Sequence, residues 1–201
     1  MSRTVSIGLA VVGVLVVGAL ILIAWGVGVY NGIVSSDEAV KSAWGQVENQ
    51  YQRRYDLIPN LVETVKGFAK QEREVLENVT AARSRVGQLT VTPEVLNDPQ
   101  AFARFQQAQD GLSSALSRLM AVVENYPQLK SNENFLALQS QLEGTENRIA
   151  VARNRFNEQV REFNTKIRRF PGSMIAGLTG FSEAQYFEAA AGAEQAPQVK
   201  F

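Results

Sequence analysis

The sequence predicts an all-α protein in which an N-terminal transmembrane helix precedes an antiparallel up-and-down (four-)helix bundle with long, partly kinked helices. Two observations carry this prediction. An apolar stretch near the N-terminus is about as long as a helix needs to be to span hydrocarbon. The rest of the chain repeats apolar residues at alternating steps of four and three, interrupted by short proline- and glycine-containing breaks, as antiparallel helices joined by short turns do.

Composition narrows the class of function. The chain has 201 residues, enough for one domain of ordinary size once the apolar segment is set aside. It has 20 basic and 20 acidic residues, so no excess of positive charge indicates a nucleic-acid partner. It has no histidine and no cysteine, which removes imidazole bases, thiol nucleophiles and the commonest transition-metal ligands. We therefore expect no enzyme activity, no cofactor and no metal site.

The N-terminal stretch from Thr4 to Ser36 contains no charged residue, and Val5 to Ala24 is nearly all aliphatic or glycine. Trp25 and Tyr30 follow, as amphipathic rings do at a headgroup boundary. We interpret the stretch as a retained single-pass anchor in a bacterial cytoplasmic (inner) membrane, with lipid as its partner. The alternative is a cleaved secretory signal that begins at Arg3. The length of the apolar run disfavours it, as do the absence of a clean small-x-small cleavage site at its end and of a lipoprotein cysteine.

Orientation follows from the basic residues that flank the anchor. Arg3 and the amino group compete with Lys41, while the acidic residues between contribute little. This balance predicts an N-terminus inside the cell and a soluble domain on the extracytoplasmic side.

Small residues recur every fourth position at the membrane exit, at Ala24, Gly28, Gly32 and Ser36. Such a row lets a second helix approach closely, so it predicts self-association into a homo-oligomer. A flexible glycine-rich joint between the anchor and the domain is an equally good reading of the same residues.

A heptad stripe runs from Val40 to Leu89 and includes two charged members, Arg54 and Glu72. Pro59 lies within it and should kink or restart the helix, because proline lacks the backbone donor. The heptad phase nevertheless continues without a slip. One long bent helix is therefore favoured over a hairpin of two helices.

Five motifs follow one another along the chain: RRYDLIPNLVETV at 53–65, ENYPQLKSNENF at 124–135, TENRIAVARNRFN at 145–157, FPGSMIAGLTGF at 170–181 and APQVKF at 196–201. Together they resemble the LemA family of bacterial membrane-anchored helical proteins, from about Tyr30 to the last residue. The resemblance implies a four-helix bundle on an N-terminal anchor. It also implies a link to magnetosome-associated membrane proteins, which favours a role in membrane organisation, and it implies no catalytic residues.

Later helix ends can be placed from capping patterns. Asp98 before Pro99 is typical of an N-cap followed by proline at the first helical position. Ser131 should cap the next helix, whose apolar stripe reaches Phe170, and Pro171 should end it.

These elements divide the chain into consecutive parts. We expect a short tail at 1–4, the transmembrane helix and its glycine-rich exit at 5–34, and the bundle at 35–170. An apolar segment at 171–188 should pack on the bundle or on a neighbour without forming a helix, and 189–201 should be a flexible tail.

Polar residues on the bundle helices form the candidate interhelical cluster, namely Arg53, Arg54, Asp56, Glu72, Glu143 and Glu146. We expect Arg54 to form an ion pair with Glu143 or Glu146 that fixes the register of two helices. Metal binding by Glu143 and Glu146 is the weaker alternative, because di-iron bundles also use histidine.

The sequence therefore predicts a non-catalytic membrane-anchored scaffold that self-associates into a larger membrane assembly. The alternative is an adaptor that presents its C-terminal tail to a membrane protease or a PDZ-like partner. Val199 and Phe201 form the apolar-x-apolar ending that such grooves accept, although such endings also arise by chance.

Overall fold

A computed structural model of the chain describes residues 3–89 and 93–188, and every regular element in these ranges is helical. The elements are α1 (Arg3–Phe68), α2 (Arg73–Gly87), a 3-10 turn (Pro93–Asn97), α3 (Pro99–Val123), α4 (Pro127–Lys130), α5 (Glu133–Arg168) and α6 (Gly172–Thr179).

The four longer helices form an up-and-down bundle, as the sequence predicts. Tyr55 on α1 accepts a hydrogen bond from Arg83 near the end of α2, so α2 runs back beside α1. Trp44 on α1 contacts Phe102 near the start of α3 and Phe156 in the second half of α5. Helix α3 is therefore parallel to α1, and α5 is antiparallel to it.

Helix α1 contains both the apolar N-terminal stretch and the first bundle helix. It is the one helix in the described residues that is long and apolar enough to cross a membrane. It continues through Pro59 without restarting and ends at Phe68. The bundle therefore begins as a direct extension of the apolar stretch.

The prediction of one continuous helix from Val40 to Leu89 is wrong. The chain reverses after Phe68, whose side chain is exposed, and the small Ala69 takes the buried position instead. The Glu72 N–H donates to the Ala69 carbonyl at 3.1 Å, which closes a tight turn. The heptad phase survives because both arms of the hairpin bury the same kind of face against one core.

The interior consists of two apolar clusters placed one after the other along the bundle. The membrane-proximal cluster includes Trp44, Phe105 and Phe163, and the distal cluster includes Leu61 and Leu119. On α1 the boundary between the clusters falls between Tyr51 and Ile58. The buried residue in this gap is Arg54.

The predicted N-cap of α3 is confirmed, and the predicted N-cap of α5 is wrong. The Asp98 carboxylate accepts from the Gln100 and Ala101 N–H groups, as predicted for the start of α3. Ser131 is not the cap of α5. Asn132 takes that role because it has extended backbone angles and accepts from the Phe135 N–H at 3.0 Å.

The segment after α5 is more ordered than the glycine-rich sequence indicates. Residues Gly172–Thr179 form α6, although this segment was expected not to be helical. Gly172 makes the helix possible at this site, since a Cβ there would lie 2.0 Å from the Lys166 carbonyl oxygen. Phe170, the last residue of the predicted apolar stripe of this helix, is exposed because α5 ends at Arg168.

Residues 181–188 follow α6 as a non-helical segment that lies against the bundle, and we call this segment the strap. Ala184 and Phe187 of the strap are buried in the membrane-proximal cluster. The apolar C-terminal region therefore packs on the bundle of its own chain.

Candidate functional site

Arg54 is the centre of a buried polar network at mid-bundle. Its Nη1 donates to Ser113 Oγ at 2.6 Å and to Glu146 Oε1 at 2.9 Å. Its Nη2 donates to both the main-chain and side-chain carbonyl oxygens of Gln109. One guanidinium thus joins α1, α3 and α5.

Burial makes this network costly to disrupt. Arg54 and Gln109 are both buried, whereas Glu146 is half-buried and reaches water. A buried guanidinium is tolerated only where acceptors replace its hydration shell. The four acceptors around Arg54 are spaced to receive it in one register of the three helices.

A second polar level lies next to the first. Arg153 Nε donates to the Tyr51 hydroxyl at 2.6 Å, and Arg153 Nη2 donates to Asp110 at 3.0 Å. Burial raises the pKa of Tyr51, although the positive charges of Arg153 and Arg54 oppose the shift. The phenol is therefore held in its neutral form, where its ring also faces both guanidinium groups.

A shallow groove of about 520 Å³ opens beside these two levels, lined by Arg54, Glu146, Arg153, Asn157 and Phe187 among others. The charged groups named here already pair within the bundle. Ser113 receives its hydrogen bond from a guanidinium, which is not a general base at neutral pH. The arrangement is suited to holding helices together rather than to activating a nucleophile.

Three amide side chains hold the strap by its backbone. Asn164 donates to the Ala184 carbonyl at 2.9 Å and accepts from the Ala184 N–H at 3.0 Å. Asn157 makes the same pair of bonds with Phe187, both at 2.9 Å. Gln106 on α3 repeats the arrangement with Glu188, at 3.2 and 3.3 Å. The strap is thus bound through its backbone.

The side chain of Phe187 anchors the strap in an aromatic pocket. Its ring centroid lies 6.0 Å from that of Trp44, 5.0 Å from Phe102 and 5.4 Å from Phe156. Arg153 covers it at 4.7 Å from the ring centroid. The strap therefore completes the membrane-proximal core and also covers part of the polar network.

The structure brings together some members of the predicted polar cluster and separates others. Arg54 pairs with Glu146, one of its two predicted partners, while Glu143 is exposed and accepts from Gln139. Arg53 and Asp56 are exposed, and Asp56 accepts from Gln52.

Glu72 and Pro59 also lie away from the network. Glu72 accepts from the Tyr126 hydroxyl at 2.7 Å near the distal end of the bundle. This bond raises the pKa of Tyr126. Pro59 is exposed on α1.

The small-residue row at the membrane exit is divided between two environments. Ala24 and Gly28 are exposed, and a Cβ added at Gly28 would meet nothing within 4 Å. Gly32 is half-buried. Ser36 is buried by the chain's own bundle, where it donates to the Gly32 carbonyl and accepts from Lys166. Ser36 is therefore part of the bundle and not of a free helix face.

The sequence reasoning missed Gln109, Ser113, Asp110 and Arg153 in the network, and all three amides that hold the strap. A signal was present for two of them. Asn157 and Asn164 are seven residues apart, so they lie on one helix face beside the apolar stripe. The predicted tail residues Val199 and Phe201 lie outside the described residues.

Comparisons with known proteins identify the family to which the chain is similar. The profile described as the LemA family matches residues 43–201. The magnetosome protein MamQ of Magnetospirillum gryphiswaldense is 30% identical over 174 residues, which cover 79% of this chain and 64% of the relative. Magnetosome protein MamQ 2 of Paramagnetospirillum magneticum is 29% identical over 175 residues, with the same coverage.

A third relative carries the family's own name. Protein LemA of Metamycoplasma hominis is 22% identical over 163 residues, which cover 81% of this chain and 70% of the relative. The match spans less than two thirds of the length of the two magnetosome proteins.

Proposed function

Because the chain belongs to the LemA family, whose relatives include magnetosome proteins, we propose that it is a non-catalytic membrane-anchored scaffold that self-associates into a larger membrane assembly. Lipid and further copies of the chain are its partners in this proposal, and it needs no cofactor.

The continuity of α1 carries the proposal. One helix from Arg3 to Phe68 serves both as the apolar N-terminal stretch and as a wall of the bundle, with no loop between them. The buried Val40, Trp44 and Val47 clamp this helix to the bundle just beyond the exit. A domain held in this way keeps one orientation to the bilayer, which suits a structural role better than a tethered enzyme.

Self-association is supported by the lipid-facing part of the same helix. Ala24 and Gly28 leave a flat strip at the membrane exit on which a second helix can pack closely. In lipid such packing relies on van der Waals contact between small residues, so one bulky side chain is enough to prevent it.

Within the proposal, the bundle lies on the extracytoplasmic side of a bacterial cytoplasmic membrane. Arg3 and the amino group on one flank, against Lys41 alone on the other, support this orientation. Protease added to intact spheroplasts should cleave the bundle. A bundle that is cut only after lysis would reverse the orientation.

Mass photometry of full-length protein, extracted directly into polymer-bounded native membrane discs, tests self-association. Wild-type protein should give discs with several copies, and Gly28→Leu should reduce the copy number. Gly26→Leu is the matched control, because Gly26 lies at the same depth about 160° around the helix and is also open to 4 Å. An unchanged copy number in Gly28→Leu would show that the strip at Ala24 and Gly28 is not the contact between copies.

The adaptor is the other outcome of this experiment. Single copies that co-purify with a different protein, and lose it when Val199–Phe201 are deleted, would replace the scaffold with an adaptor.

A further inference from the structure

Three large apolar side chains are exposed next to the membrane exit. Phe170, Met174 and Leu178 are 74%, 60% and 82% exposed, more than any other large apolar residue in the described part of the chain beyond α1. Met174 and Leu178 are four residues apart on α6, so they lie on one face of that helix, and Phe170 is exposed in the turn just before it. A stripe of this kind on a soluble surface would be unfavourable.

The buried side of α6 fixes where this stripe lies. Ala176 and Ile175 pack into the membrane-proximal cluster together with Val29 and Ile33 of α1. The Phe181 ring lies 6.2 Å from Tyr30. Helix α6 therefore contacts α1 within the uncharged stretch of α1, which ends just before Asp37.

The distance of this contact from Ala24 along α1 matches the thickness of the headgroup layer. At about 1.5 Å per residue, Val29 lies about 8 Å beyond Ala24 along α1. The headgroup layer on each side of the hydrocarbon is about 5–8 Å thick. The uncharged stretch from Thr4 to Ser36 is longer than the span requires, so the bilayer edge can reach the level of α6.

Basic residues lie at the same level of the bundle as α6, and they also favour contact with the membrane surface. Lys166, Arg168 and Arg169 are exposed and directly precede the apolar stripe, and Arg168 lies 3.6 Å from Glu183. Basic side chains next to inserted apolar ones are typical of segments that lie in the headgroup region and contact lipid phosphates.

We propose that α6 is a second membrane contact, an interfacial helix whose Phe170, Met174 and Leu178 enter the same leaflet from which α1 emerges. The anchor and α6 then contact the bilayer at two points and fix the tilt of the bundle. This inference rests on the membrane-anchored part of the proposed function and holds for a single copy, so it does not depend on self-association.

The chain has no cysteine, so single labelling sites can be introduced cleanly. Full-length Leu178→Cys, labelled with the environment-sensitive dye NBD, is placed in phosphatidylcholine nanodiscs at one copy per disc. We expect blue-shifted emission and quenching by phosphatidylcholine that carries a doxyl group near the glycerol. Val151→Cys is the matched control, because Val151 is 50% exposed on α5 far from the exit, and should show neither effect.

Three other outcomes would overturn the proposal. Water-like emission at residue 178 without quenching means that α6 does not touch lipid. Blue-shifted emission that appears only in discs holding two or more copies, without doxyl quenching, means that a second copy covers the stripe. Leu15→Cys within the span reports on insertion through its emission, and water-like emission at both sites would remove the anchor along with α6. If native membrane discs hold only one copy and residue 178 is still quenched, this inference stands while self-association fails.

Discussion

Arg54 of the anchor helix lies 2.9 Å from Glu146 of α5, and the two residues are 92 positions apart in the chain. The pair is asymmetric, because the Arg54 side chain is 1% exposed and the Glu146 side chain is 37% exposed. The carboxylate can turn to water if its partner is lost, but the groups facing Arg54 inside the bundle cannot.

Replacing Arg54 by Met should therefore lower the free energy of unfolding by about 1–3 kcal/mol, mainly because the buried Gln109 side chain loses its partner. Arg53→Met, one residue away and exposed, should change it by less than about 0.5 kcal/mol. Urea unfolding followed by circular dichroism measures both. Adding Gln109→Leu to Arg54→Met should recover part of the loss, and an Arg54→Met variant of unchanged or higher stability would contradict a role in helix register.

The sequence was sufficient to find Arg54 but not its surroundings. A charged residue on an apolar heptad stripe is conspicuous, and its need for an acceptor follows from the cost of burying a guanidinium. Gln109 and Ser113 are also on or next to a stripe, yet neutral polar residues occur on half-buried helix faces too often to mark a site. Which acceptors meet depends on how three helices are aligned, and that alignment is set by the whole core.

The hairpin after Phe68 could not be predicted from periodicity for a different reason. Heptad phase describes which face of a helix is apolar, and it continues unchanged when the chain reverses and packs the same face inward. The reversal at Ala69 depends on α2 burying more against α3 than it could as an extension of α1. That balance is between tertiary contacts and lies outside any local pattern.

Asn164→Ala should release the strap without unfolding the bundle. The Asn164 amide is buried and makes two hydrogen bonds to Ala184, so its removal leaves the Ala184 N–H and carbonyl without partners. The expected cost is about 1–3 kcal/mol for local opening of the strap. Hydrogen exchange at Ala184 and Phe187 should accelerate by about ten- to a hundredfold.

Asn147→Ala is the control for the strap, since Asn147 is exposed on the same helix. It should leave exchange at Ala184 and Phe187 unchanged. Equal exchange rates in Asn164→Ala and wild type would mean that the Asn164 amide does not hold the strap.

Gly172→Ala should displace α6 from the bundle. An added Cβ would lie 2.0 Å from the Lys166 carbonyl oxygen and 3.1 Å from its carbon, and backbone atoms cannot move aside as a flexible side chain can. We expect a loss of about 1–3 kcal/mol and faster exchange over residues 172–188. Gly177→Ala, in the same helix with nothing within 4 Å, should be neutral or slightly stabilising. Equal stability of the two variants would exclude close packing at Gly172.

Glu48 should make the bundle less stable at neutral pH than at acidic pH. Burial beside the core raises the pKa of Glu48 from its ordinary value of 4.5, with the neighbouring Trp44 opposing the shift. An acid whose pKa is higher in the folded state binds its proton more tightly there. Its contribution is therefore most favourable below pH 4.5 and is lost as the pH rises through the folded-state pKa.

Glu48→Gln keeps the shape of the side chain without the charge, so it should raise the melting temperature at pH 7 and have little effect near pH 4. Melting curves across this range measure the difference directly. Glu77→Gln, on the exposed face of α2, is the control and should leave the melting temperature at pH 7 nearly unchanged. A Glu48→Gln variant that is less stable at pH 7 than at pH 4, relative to wild type, would show that the carboxylate makes a net favourable contact with Trp44 instead.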